Sequence, residues 1–203
     1  MDGLSQGVGQ LSQGPRQCAR YQRALIPVTG SKLSGEPLIA TGVLAESGRR
    51  PVIITPNHGD EDHEQWKAGF ERASCKLLST APKHSAILDA PSSVLRDAEP
   101  VSEDECGEPP ELATDAYTLG FCSWIGQRLS GWMGQGPAQI RKDIVPATDE
   151  RLICVNALTT GGNSGGAVWE AASGRLIGTI QMSHTHEDFT AAAPVSDWTQ
   201  VIW

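Results

Sequence analysis

Three things are scarce in this 203-residue sequence: positive charge, long apolar runs and paired cysteines. Lys and Arg number 16 against 24 Asp and Glu, a net charge of −8, and no basic stripe interrupts that balance. A nucleic-acid partner is therefore not expected, because binding to a polyanion depends on Lys and Arg neutralising phosphates. No stretch approaches the roughly 20 apolar residues that a membrane-spanning helix needs. Residues 1–14 contain Asp2, no cationic region and no apolar run of signal-peptide length. The five cysteines (Cys18, Cys75, Cys106, Cys122 and Cys154) are odd in number, widely spaced and form no C-x-x-C pair. Neither a disulfide framework nor a zinc site is indicated, and free thiols in a reducing compartment are expected. No metal and no organic cofactor is implied.

What is present points to strands. The 22 glycines and 13 prolines are spread along the chain, which favours many short elements with tight turns over long helices. Residues 1–20, rich in Gly, Ser and Gln, read as a flexible tail. From Tyr21 onward, apolar runs of four to seven residues recur, several of them β-branched, as in Pro51-Val-Ile-Ile-Thr55. Residues 96–115 hold eight acidic side chains and three prolines and read as a solvated connector. A second series of short strands follows over 116–203, ending in Val195-Ser-Asp-Trp-Thr-Gln-Val-Ile-Trp203, where Ser196 or Asp197 is expected to cap a short helix. Two β-rich halves, 21–95 and 116–203, joined by a polar linker are the outline of a double barrel.

The segment Thr160-Gly161-Gly162-Asn163-Ser164-Gly165-Gly166 carries the chemistry. A hydroxyl with glycines on both sides sits well on a tight turn, where missing Cβ atoms let backbone amides converge on a reacting carbonyl. Taken alone, the segment is equally good hairpin-turn chemistry. Its surroundings decide between the two readings. Cys154-Val-Asn-Ala-Leu-Thr-Thr-Gly-Gly-Asn-Ser-Gly-Gly-Ala-Val-Trp169, then Gly174-Arg-Leu-Ile-Gly-Thr-Ile180, then Ala192-Ala-Pro-Val-Ser196 resemble the second barrel of trypsin-like serine peptidases, and most of all the HtrA-like branch. Ala40-Thr-Gly-Val-Leu44 and Pro51-Val-Ile-Ile-Thr-Pro-Asn-His58 resemble the paired first-barrel strands of the same family.

This resemblance implies an all-β fold of two six-stranded antiparallel barrels with a short C-terminal helix, and no peptide-capturing extra domain is expected because the chain ends just after that helix. It also implies a serine endopeptidase with Ser164 as nucleophile, His58 as general base, and the amides of Gly162 and Ser164 as oxyanion hole. His63 falls in a solvated acidic run, while His184 and His186 line the cleft or sit in a polar loop. The family's third residue is an Asp on a strand reading Asp-x-Ala-x-Leu. Here that strand reads His84-Ser-Ala-Ile-Leu88, so position favours His84 and chemistry favours Asp89. Side chains alternate along a strand, so both cannot serve without a bulge. By register the substrate pocket is lined by Leu158, Thr159, Gln181, Met182 and Ser183, with Ala191 to Ala193 opposite. No carboxylate lies at its base, so a small or medium apolar residue is the expected preference.

The expected partner is a polypeptide substrate, in the cytoplasm (the host's, for a viral source), and the departure at His84 leaves room for an activating partner or a larger parent polypeptide. The alternative from another class is a pseudopeptidase that binds peptides or partners without cutting them.

Overall fold

The computed structural model describes residues 19–32, 37–48, 50–57, 63–81, 85–110, 114–122, 130–134, 137–141, 152–155, 159, 161–184 and 189–203. The first sheet contains β1 (Leu25–Lys32), β2 (Pro37–Ala45), β3 (Val52–Pro56), β4 (His63–Ala68), β5 (Ala73–Ser74), β6 (Leu77–Ala81) and β7 (Ser85–Asp89). Its strand order is β5-β4-β1-β2-β3-β7-β6, antiparallel throughout. The second contains β8 (Asp115–Cys122), β9 (Ser130–Gly134), β10 (Pro137–Arg141), β11 (Ile153–Val155), β12 (Ala167–Glu170), β13 (Leu176–His184) and β14 (Phe189–Pro194). In the order β10-β11-β14-β13-β12-β8-β9 it closes on itself through a β8–β10 pairing.

The expected double barrel is therefore present, with each sheet carrying seven strands where six were expected. The extra strand in the first is the two-residue β5, and in the second it is β9, which pairs with β8 outside the closed ring. No helix among the described residues is long and apolar enough to cross a membrane.

Alternation sorts each sheet's side chains into two buried layers. Ile53, Ala86 and Leu88 join Val28, Leu44 and Trp66 inside the first barrel. Ile153, Val155, Val168, Ile180 and Ala192 fill the second. The intervening residues Ile54, Ile87, Ala167 and Trp169 face outward into a third cluster that joins the barrels. Strands buried on both faces read as unbroken apolar runs, and β3 is buried at all five positions for this reason.

Three segments tie the barrels together. The C-terminal helix α1 (Ser196–Ile202) buries Trp198 in the joining cluster. Its N-cap is Val195, without a side-chain cap, rather than the expected Ser196 or Asp197, because Val195 is itself buried at the end of the preceding strand. The acid-rich connector is anchored: Val101 is buried and bridges Ala45, and Cys106 bridges Leu176. Residues 19–22 are helical, and Arg20 donates to the carbonyls of Glu99 and Pro100 and pairs with the Glu105 carboxylate at 2.9 Å. Tyr21 stacks on Trp169 with ring centroids 3.3 Å apart and donates its hydroxyl to the Gly174 carbonyl.

Cys75, Cys106 and Cys154 are free thiols. Burial, with a smaller push from the Asp89 carboxylate, takes the Cys75 thiol up to about 12, and burial beside Glu105 and Glu103 takes Cys106 to about 12. Both stay protonated and poorly nucleophilic near neutral pH.

Replacing the buried, stacked Tyr21 by Ala is expected to lower the unfolding free energy by about 3 kcal/mol. Tyr21→Phe, which keeps the stack and loses one hydrogen bond, is expected to cost about 1 kcal/mol. Urea titration followed by tryptophan fluorescence checks both.

Candidate active site

The loop 161–166, between β11 and β12, is held by hydrogen bonds from both barrels. Within the second barrel, Gly165 N–H donates to Ile180 O at 2.5 Å, Ile180 N–H to Gly166 O at 2.7 Å, and Gly166 N–H to Asn163 O at 2.8 Å. The buried Asn163 side chain donates through Nδ2 to Phe121 O on β8 at 3.1 Å. From the first barrel, Thr41 on β2 donates its amide to Ser164 O at 2.7 Å and its hydroxyl to Gly162 O at 2.8 Å. The same hydroxyl accepts from Phe121 N–H at 2.8 Å, and the Thr41 carbonyl accepts from the Thr55 hydroxyl at 3.0 Å.

Two glycines are required by this arrangement. Gly162 has φ +91° and Gly165 φ +83°, values that side-chain-bearing residues rarely adopt. A Cβ on Gly165 would also overlap the Thr41 carbonyl oxygen and Pro56 Cδ. Here the backbones of the two barrels meet with no space for a side chain.

Two donors of the loop stay clear of its internal hydrogen bonds. Asn163 O is engaged by Gly166 N–H, and in a trans peptide the N–H points opposite to the C=O, so Ser164 N–H is turned away from that bond. Neither Gly162 N–H nor Ser164 N–H finds an acceptor among the described residues. Ser164 is half-buried. Two amides without an acceptor among the described residues, on a turn fixed from both sides, are suited to stabilise an oxyanion, and the Ser164 hydroxyl next in the chain is suited to attack a carbonyl once a base takes its proton.

His58, His84 and Leu158 lie outside the described residues. β3 ends at Pro56, two positions before His58, and Pro56 pairs with Ser85, the residue that follows His84. Asp89 pairs with Val52 at the other end of both strands. Four residues of extended chain separate it from Ser85, about 13 Å. The Asp89 carboxylate accepts a hydrogen bond from the Lys76 amide.

Of the expected pocket residues, Thr159 shares a hydroxyl–hydroxyl hydrogen bond of 2.9 Å with Thr190, which is fully buried. Ala191, Ala192 and Ala193 are buried. Met182 pairs with Ala191 and Ser183 with Thr190 along β13 and β14. Gln181 occupies the register shift between Ile180 and Met182 and is buried, with Oε1 lacking a hydrogen-bond partner among the described residues. Ser85 Oγ is likewise buried and unpartnered. Among the described residues no group of three or more His, Cys, Asp or Glu side chains is arranged to hold a metal.

The sequence reading missed Thr41. It lies in the Ala40-Thr-Gly-Val-Leu44 strand that supported the fold, and the buried hydroxyl in an otherwise apolar run was the available signal.

Neither a protein-family model nor a curated protein matches the chain. Solved structures do. The active form of the Rv3671c protease from M. tuberculosis aligns with a TM-score of 0.72 at 17% identity, over 95% of this chain and 84% of that one. The HtrA-type protease AlgW, in complex with a tripeptide, aligns with a TM-score of 0.69 at 20% identity, over 92% of this chain and 61% of that one. The serine endoprotease from Yersinia pestis aligns with a TM-score of 0.64 at 20% identity, over 92% and 64%. At such identities the likeness is one of fold, and that fold is the trypsin-like double barrel of HtrA-type serine proteases.

Gly165→Ala is expected to force the barrels apart where they touch, because both the positive φ and the lost clearance oppose the methyl group. A loss of at least about 2 kcal/mol in urea unfolding is the expected outcome.

Proposed function

We propose that the protein is a serine endopeptidase in which Ser164 is the nucleophile, His58 the general base, and the Gly162 and Ser164 amides the oxyanion hole. The observation that carries this reading is the loop itself, in which those two amides have no acceptor among the described residues and Ser164 is half-buried. His58 takes the Ser164 proton as Oγ attacks the scissile carbonyl. The resulting oxyanion is held by the two amides, and His58 then gives the proton to the leaving amine. Water activated by the same imidazole hydrolyses the acyl-enzyme.

His84 is the third member by position and Asp89 its competitor. The pairing of Pro56 with Ser85 supports His84, since it brings that end of β7 alongside the end of β3 from which the chain continues to His58. The Lys76 amide already bound to the Asp89 carboxylate points the same way. A second imidazole accepts a hydrogen bond from the base but stabilises its cation less than a carboxylate does. This feature also favours a second reading, a weakly active or inactive pseudopeptidase that binds a peptide or partner in the same cleft.

The substrate is a polypeptide. Around Thr159 the described wall is neutral, made of the Thr159–Thr190 hydroxyl pair and small buried alanines. A cationic side chain would be desolvated there without a partner, so cleavage after small or medium apolar residues follows.

A fluorophosphonate probe is expected to label the protein, with labelling abolished in Ser164→Ala and reduced by at least about 1,000-fold in His58→Ala. No labelling of a correctly folded wild type would establish the pseudopeptidase instead. His84→Ala is expected to slow labelling more than Asp89→Asn, and the reverse order would exchange their roles. Peptides with Ala or Val before the scissile bond are expected to be cleaved at least about 10-fold faster than those with Lys.

A further inference from the structure

We infer that Thr41 is a positioning residue for the oxyanion hole, its hydroxyl and amide fixing from the first barrel the two donors carried by the second. This rests on the reading of Ser164 as a nucleophile. Thr41 grips the carbonyl oxygens of the two residues whose amides would receive the oxyanion: Gly162 through Oγ1 and Ser164 through its backbone N–H. Holding these two carbonyls fixes the 162–163 and 164–165 peptide planes, which pins the 163–164 peptide carrying Ser164 N–H from both sides and fixes one of the two planes that meet at Gly162. The freedom to reorient is otherwise largest at Gly162, where φ +91° is accessible and no Cβ resists a peptide flip.

The hydroxyl is needed, not only the backbone. Oγ1 donates its one hydrogen to Gly162 O and accepts from Phe121 N–H, so donor and acceptor roles are both filled. Thr41 is fully buried, which leaves no solvent to replace a lost bond. Its Cβ branch restricts χ1, and its own carbonyl is held by the Thr55 hydroxyl. The oxyanion hole is thus a property of the docked pair of barrels, with Thr41 as the contact that transmits docking to the amides.

The test compares Thr41→Val, which keeps the shape and removes both hydroxyl bonds, with Thr41→Ser, which keeps the bonds. In Thr41→Val, kcat on a peptide substrate is expected to fall about 100-fold with KM within about 3-fold, as for loss of an oxyanion donor. Thr41→Ser is expected to remain within about 3-fold of wild type in both. A raised KM with unchanged kcat would overturn the inference, as would equal losses in Val and Ser variants. Amide NMR supplies a readout that does not need turnover. The Gly162 and Ser164 resonances are expected to broaden or double in Thr41→Val while those of the barrel cores stay in place, and unchanged loop resonances would overturn the inference even in an inactive protein. If Thr41→Val fails to fold, Thr41→Ala takes its place in both measurements. A wild type that ignores the fluorophosphonate sinks the endopeptidase reading alone, and the NMR comparison still decides the role of Thr41.

Discussion

Most of what this fold does depends on one buried contact, the meeting of the Thr41 peptide with the loop 162–165. The Thr41 carbonyl lies where a Cβ of residue 165 would have to be, and its amide and hydroxyl hold the loop from the other side. Close approach of two backbones excludes water, and that exclusion makes each hydrogen bond in the seam costly to leave unmade. The requirement propagates outward. Strands that line both a barrel interior and the seam are apolar on both faces, as β3 is, and the polar groups admitted to the seam, Thr41, Thr55 and Asn163, are hydrogen-bonded.

Some buried polar groups depart from that rule, among them the Trp169 and Trp198 indole N–H groups of the joining cluster. Ser85 Oγ and Gln181 Oε1 are also buried without partners among the described residues, one on the strand paired with the end of β3 and the other one residue past the β13 position that clamps the loop. Unpartnered buried polar atoms cost stability, and they concentrate where a chain has requirements besides stability. The division of labour between barrels is also uneven. On the proposed reading the second contributes the hydroxyl and both amides, while the first contributes Thr41 and the strand leading to His58.

Much of this was legible in the sequence, for physical reasons. Doubly buried strands leave a continuous apolar signature, so Pro51-Val-Ile-Ile-Thr55 and Leu152-Ile-Cys-Val155 announced themselves. The glycines of the loop were informative because positive φ leaves few other residues available. β4 was hidden: only Trp66 and Ala68 of it are shown buried, and a bulge at Gln65, with φ +62°, breaks its alternation within an acidic neighbourhood. β9, Ser130–Gly134, is glycine-rich and carries too little apolar character to stand out. The acidic connector looked solvated because its anchors, Val101 bridging Ala45 and Arg20 reaching Glu105, are long-range and leave no local pattern. Thr41 showed only as a lone hydroxyl in an apolar run, and nothing local tied it to the site, its partners being 80 and 121 positions away.

That separation in sequence bears on how the protein comes into being. On the ribosome the chain emerges from its N-terminus, and the first barrel has all its strands long before Gly162 is made. Until then Thr41 has nothing to hold, and Tyr21, whose hydroxyl bonds a carbonyl 153 residues downstream, has neither that carbonyl nor Trp169 to stack on. A nascent chain therefore cannot assemble the Ser164 loop early, because the grip on it comes from residues made far apart in time. The seam is thus a late contact, closed only once strands from both halves of the sequence are in place.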